Sequence, residues 1–205
     1  MNKWILTSII IFFCTVVQAQ QPKVISDATI SFTVSNSSPS KQNDLGSKII
    51  YLKGKDIRID LMSNMFSQTI FYNSNTGNAT VLKNIGQSKY ISNYTNEEWK
   101  KANNIYNGAK ISFTNNTKKI LDYDCKQAML KLENGSTYTV YYTPLLIPSV
   151  VENPFEFKDI PGLILEYESL VSENEKVIYT ADKINFDPVP SLQFDIPKTG
   201  YHILH

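Results

Sequence analysis

Apolar and polar side chains alternate with a period of two through much of this chain. Ile30-Ser31-Phe32-Thr33-Val34 and Ile57-Arg58-Ile59-Asp60-Leu61 place an apolar residue at every second position, the signature of strands with one buried face and one wet face. Ile49 to Leu52 precedes the second of these across Lys53-Gly54-Lys55-Asp56, so the two segments are expected to form an antiparallel hairpin. Gln68 to Tyr72, Asn78 to Leu82 and Lys89 to Tyr94 continue at similar spacing, with Asn73-Ser74-Asn75-Thr76-Gly77 as the turn between the first two. Short strands in this order predict a meander. Ser35 to Gly46, rich in Ser, Asn, Pro, Lys and Gln, predicts an exposed loop.

One helix interrupts the strands. Thr95 or Asn96 is placed to cap it, Glu97 and Glu98 fall in its first turn, and Trp99, Ala102 and Tyr106 recur at helical spacing before Gly108. Trp99 is expected to dock this helix on the sheet, since large aromatic residues serve burial far more often than they serve as ligand platforms.

The start of the chain changes the picture. Lys3 followed by apolar Trp4 to Val17 and then Val17-Gln18-Ala19 reads as a signal peptide over residues 1–19, with the mature chain starting at Gln20. The apolar run is about 14 residues, against the ~20 needed to cross a bilayer. Phe13 stands before Cys14 where a lipoprotein peptidase wants a small residue, so cleavage is expected and lipidation is not. The expectation is an exported protein, periplasmic or associated with the outer membrane or released, with a single domain over residues 20–205 and no transmembrane segment in the mature part.

Charge and chemistry narrow the function classes. The chain has 20 Lys+Arg and 19 Asp+Glu, and loss of Lys3 leaves the mature part neutral, which argues against a nucleic-acid binder that needs a basic surplus. Cys125 is the sole cysteine of the mature chain, so no internal disulfide is expected and the residue reads as a small buried hydrophobe. The histidines, His202 and His205, both sit at the C-terminus, an unpromising start for a metal site or a Ser-His-Asp triad. Asp122 with Asp124, and Glu166 with Glu168, are same-face carboxylates about 7 Å apart along a strand. That spacing is compatible with acid/base work, but solvated surface pairs are the commoner outcome, and the reading is a non-enzyme with no cofactor. The sequons at Asn36, Asn78, Asn93, Asn115 and Asn134 accept glycans only in a eukaryotic secretory route.

The second half carries the specific motifs. Asp122-Tyr123-Asp124-Cys125-Lys126-Gln127-Ala128 leads through Met129 to Leu132 and a turn at Glu133-Asn134-Gly135-Ser136 into Thr137-Tyr138-Thr139-Val140-Tyr141-Tyr142-Thr143, which Pro144 and Pro148 end. Phe155 to Asp159 then precedes Ile160-Pro161-Gly162-Leu163-Ile164-Leu165-Glu166-Tyr167-Glu168, and Val177 to Phe186 closes the pattern. Pro161 fixes φ and Gly162 permits either φ > 0 or a close backbone approach, a device for turning sharply into a strand. Simple alternation puts Leu163, Leu165 and Tyr167 on one face, and Ile164, Glu166 and Glu168 on the other. A single glycine does not make a phosphate loop.

These three motifs, spread over Lys118 to about Phe186, resemble the GLPGLI family of exported Bacteroidetes proteins, related in shape to DUF4412 and lipoprotein-carrier-like half-barrels. Pro161, Gly162, Leu163 and Ile164 match the name-giving motif, whereas Asp159-Ile160 stands where Gly-Leu is usual. The resemblance implies a mainly β fold with one or two short helices on a curved, incompletely closed antiparallel sheet. Cys125, Pro161, Gly162, Leu163 and Ile164 are then structural, and an apolar concave face lined by Tyr138, Val140, Tyr142, Leu163, Leu165 and Tyr167 is expected to hold a ligand. A lipid chain buried there gains ~0.8 kcal/mol per CH₂. The function implied is an extracytoplasmic, non-enzymatic module for a hydrophobic ligand, lipid or lipoprotein-like, or for an envelope component. The alternative is an accessory protein of an envelope or outer-membrane transport system, its concave face filled by its own side chains.

Overall fold

The computed structural model describes residues 21–37, 44–64, 66–172 and 175–204. The leader expected over residues 1–19, with Cys14, lies outside the described residues, as do His205 and the 38–43 part of the expected loop.

Fourteen strands are described: β1 (Lys23–Ile25), β2 (Asp27–Asn36), β3 (Asp44–Lys53), β4 (Asp56–Ser63), β5 (Phe66–Asn73), β6 (Ala79–Ile85), β7 (Ser88–Tyr94), β8 (Lys110–Ile120), β9 (Tyr123–Lys131), β10 (Thr137–Thr143), β11 (Leu146–Pro148), β12 (Leu163–Ser172), β13 (Glu175–Asn185) and β14 (His202–Ile203). Twelve form one curved, unclosed sheet in the order β14-β7-β6-β5-β4-β3-β2-β13-β12-β10-β9-β8. Its neighbours are antiparallel except for the two-residue pairing of β14 with β7. The expected meander is therefore β2 to β7, and β2 joins it to the C-terminal strands by pairing with β13, Thr33 opposite Thr180. β1 and β11 form a separate parallel pair.

Local sequence accounts for the hairpins. Lys53 pairs with Asp56 across a two-residue turn whose Gly54 has φ 60°, a conformation that favours glycine and matches the twist of a tight hairpin. Along β2, alternation buries Ala28, Ile30, Phe32 and Val34, and Ile30 and Phe32 enter a core with Ile50, Leu52 and Ile57. The same parity carries Lys48 inward, because its register partners are Phe32 on β2 and Leu61 on β4.

The helix α1 (Asn96–Ala102) starts as its sequence requires, with Thr95 and Glu98 forming a reciprocal capping box. It ends four residues before Tyr106, which sits instead in a 3-10 turn at Asn104–Tyr106. Trp99 packs its ring 5.3 Å from that of Tyr94 on β7. No described helix is long and apolar enough to cross a membrane.

β12 departs from simple alternation. Tyr141 pairs with Glu166 but Tyr142 pairs with Ile164, so Leu165 is an extra residue without its own partner on β10, a β-bulge. The expectation that Leu163, Leu165 and Tyr167 share a face is thereby corrected. Leu163 and Leu165 pack in the cluster containing Ile30 and Cys125, while Tyr167 returns to the face of Ile164 and packs with Val140, Tyr142 and Phe157. At the head of β12 the role of Gly162 is close approach: a Cβ there would collide with the Thr143 carbonyl oxygen of β10.

Candidate functional site

The curl of the sheet leaves a hollow on its concave side. β4 and β5 supply one wall, with Ile59, Leu61, Gln68, Ile70 and Tyr72; Tyr167, Ser169 and Tyr179 on β12 and β13 supply the facing wall. Trp99, Asn103 and Tyr106 from the helical segment, together with Glu152 to Glu156 from the loop before β12, cover it. The hollow is partly open to solvent and has a volume of about 260 Å³, just under the range of ~300–1,000 Å³ usual for small-molecule sites.

The floor of this hollow is ionic. Lys48 is 3% exposed; its ammonium donates to the Glu152 carboxylate and, at 2.5 Å, to the Tyr167 hydroxyl. That hydroxyl in turn donates to Glu152 at 3.2 Å. The ammonium also lies 4.9 Å and 5.1 Å from the ring centroids of Tyr167 and Tyr179, and those two rings stack at 4.7 Å. A cation over aromatic faces is attracted by their quadrupoles, more so when dry. Burial pushes the Lys48 ammonium down to about 7, against the attraction of Glu156. Burial also holds the Tyr167 hydroxyl well above its ordinary value, with Tyr179 and Glu156 adding to the effect.

Glu156 forms the second polar centre. It is 8% exposed and accepts hydrogen bonds from the Tyr106 hydroxyl and from Asn153 Nδ2, the latter at 3.3 Å. The Asn153 side-chain oxygen accepts the backbone N–H groups of Phe155 and Glu156 at 3.1 and 3.4 Å, and this Asx turn aims the carboxylate inward. Burial raises Glu156 to about 7, against the Tyr106 hydrogen bond and the Lys48 charge. Chemically the site joins an apolar wall, several aromatic faces and one cation between two carboxylates.

The residues picked out by sequence fall differently. Tyr167 lines the hollow. Tyr138 is buried with Leu130 and Leu132, and Val140 and Tyr142 are covered by Phe157 and Ile160, so this part of the concave face is filled from within. Leu163 and Ile164 border a crevice of only about 20 Å³, and Leu165 is fully buried in the core. Cys125 is also fully buried, and burial pushes its thiol up to about 11. Asp122 and Asp124 are exposed. Glu166 is held by Lys118 at 2.6 Å and by the Thr180 hydroxyl at 2.9 Å, and Glu168 by Lys176 at 3.1 Å and the Thr139 N–H at 2.9 Å.

Sequence reading did not bring together Lys48, Glu152, Asn153, Glu156 and Tyr179. Two of these carried a signal: Lys48 lies two and four residues before the inward-facing Ile50 and Leu52, and Tyr179 lies two residues from the buried Val177 and two from the buried Ala181. The loop residues lie where no periodicity indicates a direction.

Comparison with known proteins finds no family model and no curated protein that matches this chain. Among solved structures, PNGF-II in its C2 and P21 crystal forms is similar, with TM-scores of 0.52 and 0.53 at 16% identity. The match covers 86% of this chain and 30% and 31% of the respective PNGF-II chains. MucB aligns over 84% of this chain and 58% of its own at 6% identity, with a TM-score of 0.39. This chain thus spans less than a third of the length of PNGF-II, and its likeness to PNGF-II is one of fold.

Proposed function

We propose that the mature chain is an extracytoplasmic, non-enzymatic binding module of half-barrel form, related to the GLPGLI family, whose concave hollow takes one small amphipathic molecule. The observation that carries this reading is the 260 Å³ hollow itself, roofed by the helical segment and the Glu152–Glu156 loop, with Ile59, Leu61 and Ile70 on one side and Lys48, Glu152 and Glu156 converging on it. Enclosure by an apolar wall with a few convergent polar groups is the common architecture of small-molecule sites. Its size favours a compact ligand over a full acyl chain. The signal-peptide pattern at residues 1–19 supports export.

Native mass spectrometry of the mature protein, purified without detergent, tests the reading. A co-purifying small molecule that is lost in Leu61→Trp or Ile70→Trp, each of which fills the hollow, supports it. Absence of any bound mass, together with no thermal shift across a collection of amphipathic fragments, overturns it. That result would favour an accessory envelope protein without a small-molecule ligand, a reading supported by the filling of the Val140–Tyr142 part of the concave face by Phe157.

A further inference from the structure

The charges around the hollow do not balance. Lys48, Glu152 and Glu156 face it, two carboxylates against one ammonium. The ammonium is already engaged, by Glu152, by the Tyr167 hydroxyl and by the rings of Tyr167 and Tyr179. The partners of Glu156 are neutral donors, Tyr106 and Asn153. Among the described residues no Lys or Arg makes an ion pair with it.

We infer that the ligand of this hollow is a small organic cation, a protonated or quaternary amine on a flat apolar body, its charge seated at Glu156 among the rings of Trp99, Tyr106 and Tyr179 that line the hollow. The inference rests on the reading of the hollow as a ligand site and deepens it by naming the ligand's charge. A carboxylate with aromatic walls is the recognised chemistry for ammonium groups, because ring faces attract a cation without demanding hydrogen bonds from it. The arrangement already exists once in this molecule, where Lys48 sits against Glu152 and the stacked pair Tyr167 and Tyr179. Size is consistent: a dry cavity of roughly 150 Å³ holds benzene, so 260 Å³ accommodates a ring with a short aminoalkyl arm. Glu156, Tyr106 and Pro154 also border a second hollow of about 250 Å³ lined by Ile111, Leu130, Lys158 and Asp159. Glu156 therefore borders both hollows.

The titrating groups act in one direction. Facing Glu156 are Lys48, Glu152 and the phenols of Tyr72, Tyr106, Tyr167 and Tyr179 in the first hollow, the buried phenol of Tyr138 on β10, and the exposed Lys158 and Asp159 bordering the second hollow. The five phenols are raised by burial and stay neutral. As pH rises through about 7 Glu156 loses its proton and Lys48 discharges. Both changes leave the hollow more negative, so affinity for a cation of fixed charge rises between about pH 6 and pH 8.

Isothermal titration of the mature protein at pH 7.5 with 2-phenylethylammonium and its neutral isostere 2-phenylethanol provides the test, with benzyltrimethylammonium as the fixed charge for a pH series. The ammonium is expected to bind at least tenfold more tightly than the alcohol. Glu156→Gln is expected to erase that preference while leaving the alcohol unchanged, and Trp99→Leu to weaken the ammonium more than the alcohol. Equal binding of the two probes, or an undiminished preference in a folded Glu156→Gln variant, overturns the cation while leaving the small-ligand reading in place. Binding of neither probe overturns the cation inference, and an empty result from native mass spectrometry as well would bring down the small-ligand reading with it.

Discussion

The Lys48 ammonium and the Tyr167 hydroxyl lie 2.5 Å apart although they arise from β3 and β12, strands separated in the sheet by β2 and β13. In a flat sheet strands three places apart are about 14 Å from one another. Curvature and two long side chains directed into the concavity close that gap. The contact is thus a direct consequence of how the sheet curls, and Glu152 completes it from the covering loop.

Removing one member of this buried group should harm more than removing two. Lys48→Met leaves the Glu152 carboxylate without its cation, the Tyr167 hydroxyl remaining its donor, and breaking a buried pair in this way costs about 3–5 kcal/mol. Lys48→Met with Glu152→Gln should recover most of that loss. Chemical denaturation of the two single variants and the double variant measures the coupling. Additive effects would show that the pair does not act as a unit.

Glu156 should make stability depend on pH. Its folded value of about 7 lies above the ordinary 4.5, so the folded state holds the proton more tightly than the unfolded chain. Its contribution is complete below pH 4.5 and is lost as pH rises to about 7, which at about 1.4 kcal/mol per pH unit is on the order of 3 kcal/mol. Glu156→Gln has no such loss. Thermal unfolding of the two proteins should therefore coincide near pH 4 and diverge by pH 8, with the variant the more stable.

Phe157 is 1% exposed and covers Val140, Tyr142 and Tyr167. Phe157→Ala should destabilise by about 3–5 kcal/mol and open the filled part of the concave face. A neutral apolar dye is expected to bind the folded variant and not the natural chain, as read by fluorescence.

At Gly162 even a methyl group is too large, since it would meet the Thr143 carbonyl where β10 and β12 come together. Gly162→Ala should cost about 1–3 kcal/mol by overpacking. A change at Gly54, whose surroundings are open and whose φ is 60°, should show a smaller loss. Urea midpoints for the two variants make the comparison.

Cys125 should be inert in the folded protein. It is fully buried and its thiol is pushed up to about 11, so little thiolate forms at pH 8. Iodoacetamide is expected to label it only under denaturing conditions. Labelling of the native protein at the rate of a free thiol would contradict the packing around Ile120 and Leu163.

Residues that repeat with the period of their own backbone were legible. Alternation alone located β2 and β4, the Lys53–Asp56 turn located their neighbour, and a cap at Thr95 or Asn96 with Glu97 and Glu98 in the first turn marked the start of α1. Cys125 read correctly as a buried small side chain. These signals need only neighbours a few positions away, because strand pleat, turn conformation and cap hydrogen bonds are local. The face of Tyr167 was not legible, since the bulge at Leu165 arises from how β12 meets β10 and reverses the count of two. The helix stops before Tyr106 at Asn103, whose backbone N–H and side-chain amide both donate to the Trp99 carbonyl oxygen and close the last turn.

What the sequence determined by itself was a set of strands with one apolar face each, and a chain that must curl them together to remove that face from water. Tertiary structure alone decided that β2 lies beside β13, that the Val140 and Tyr142 region is filled by Phe157, and that Lys48, Glu152 and Glu156 meet inside the concavity. The reason is physical. Residues more than 100 positions apart, such as Lys48 and Tyr167, acquire a common environment only when the sheet bends, and the desolvation that shifts Lys48 and Glu156 towards neutrality exists only inside that bend.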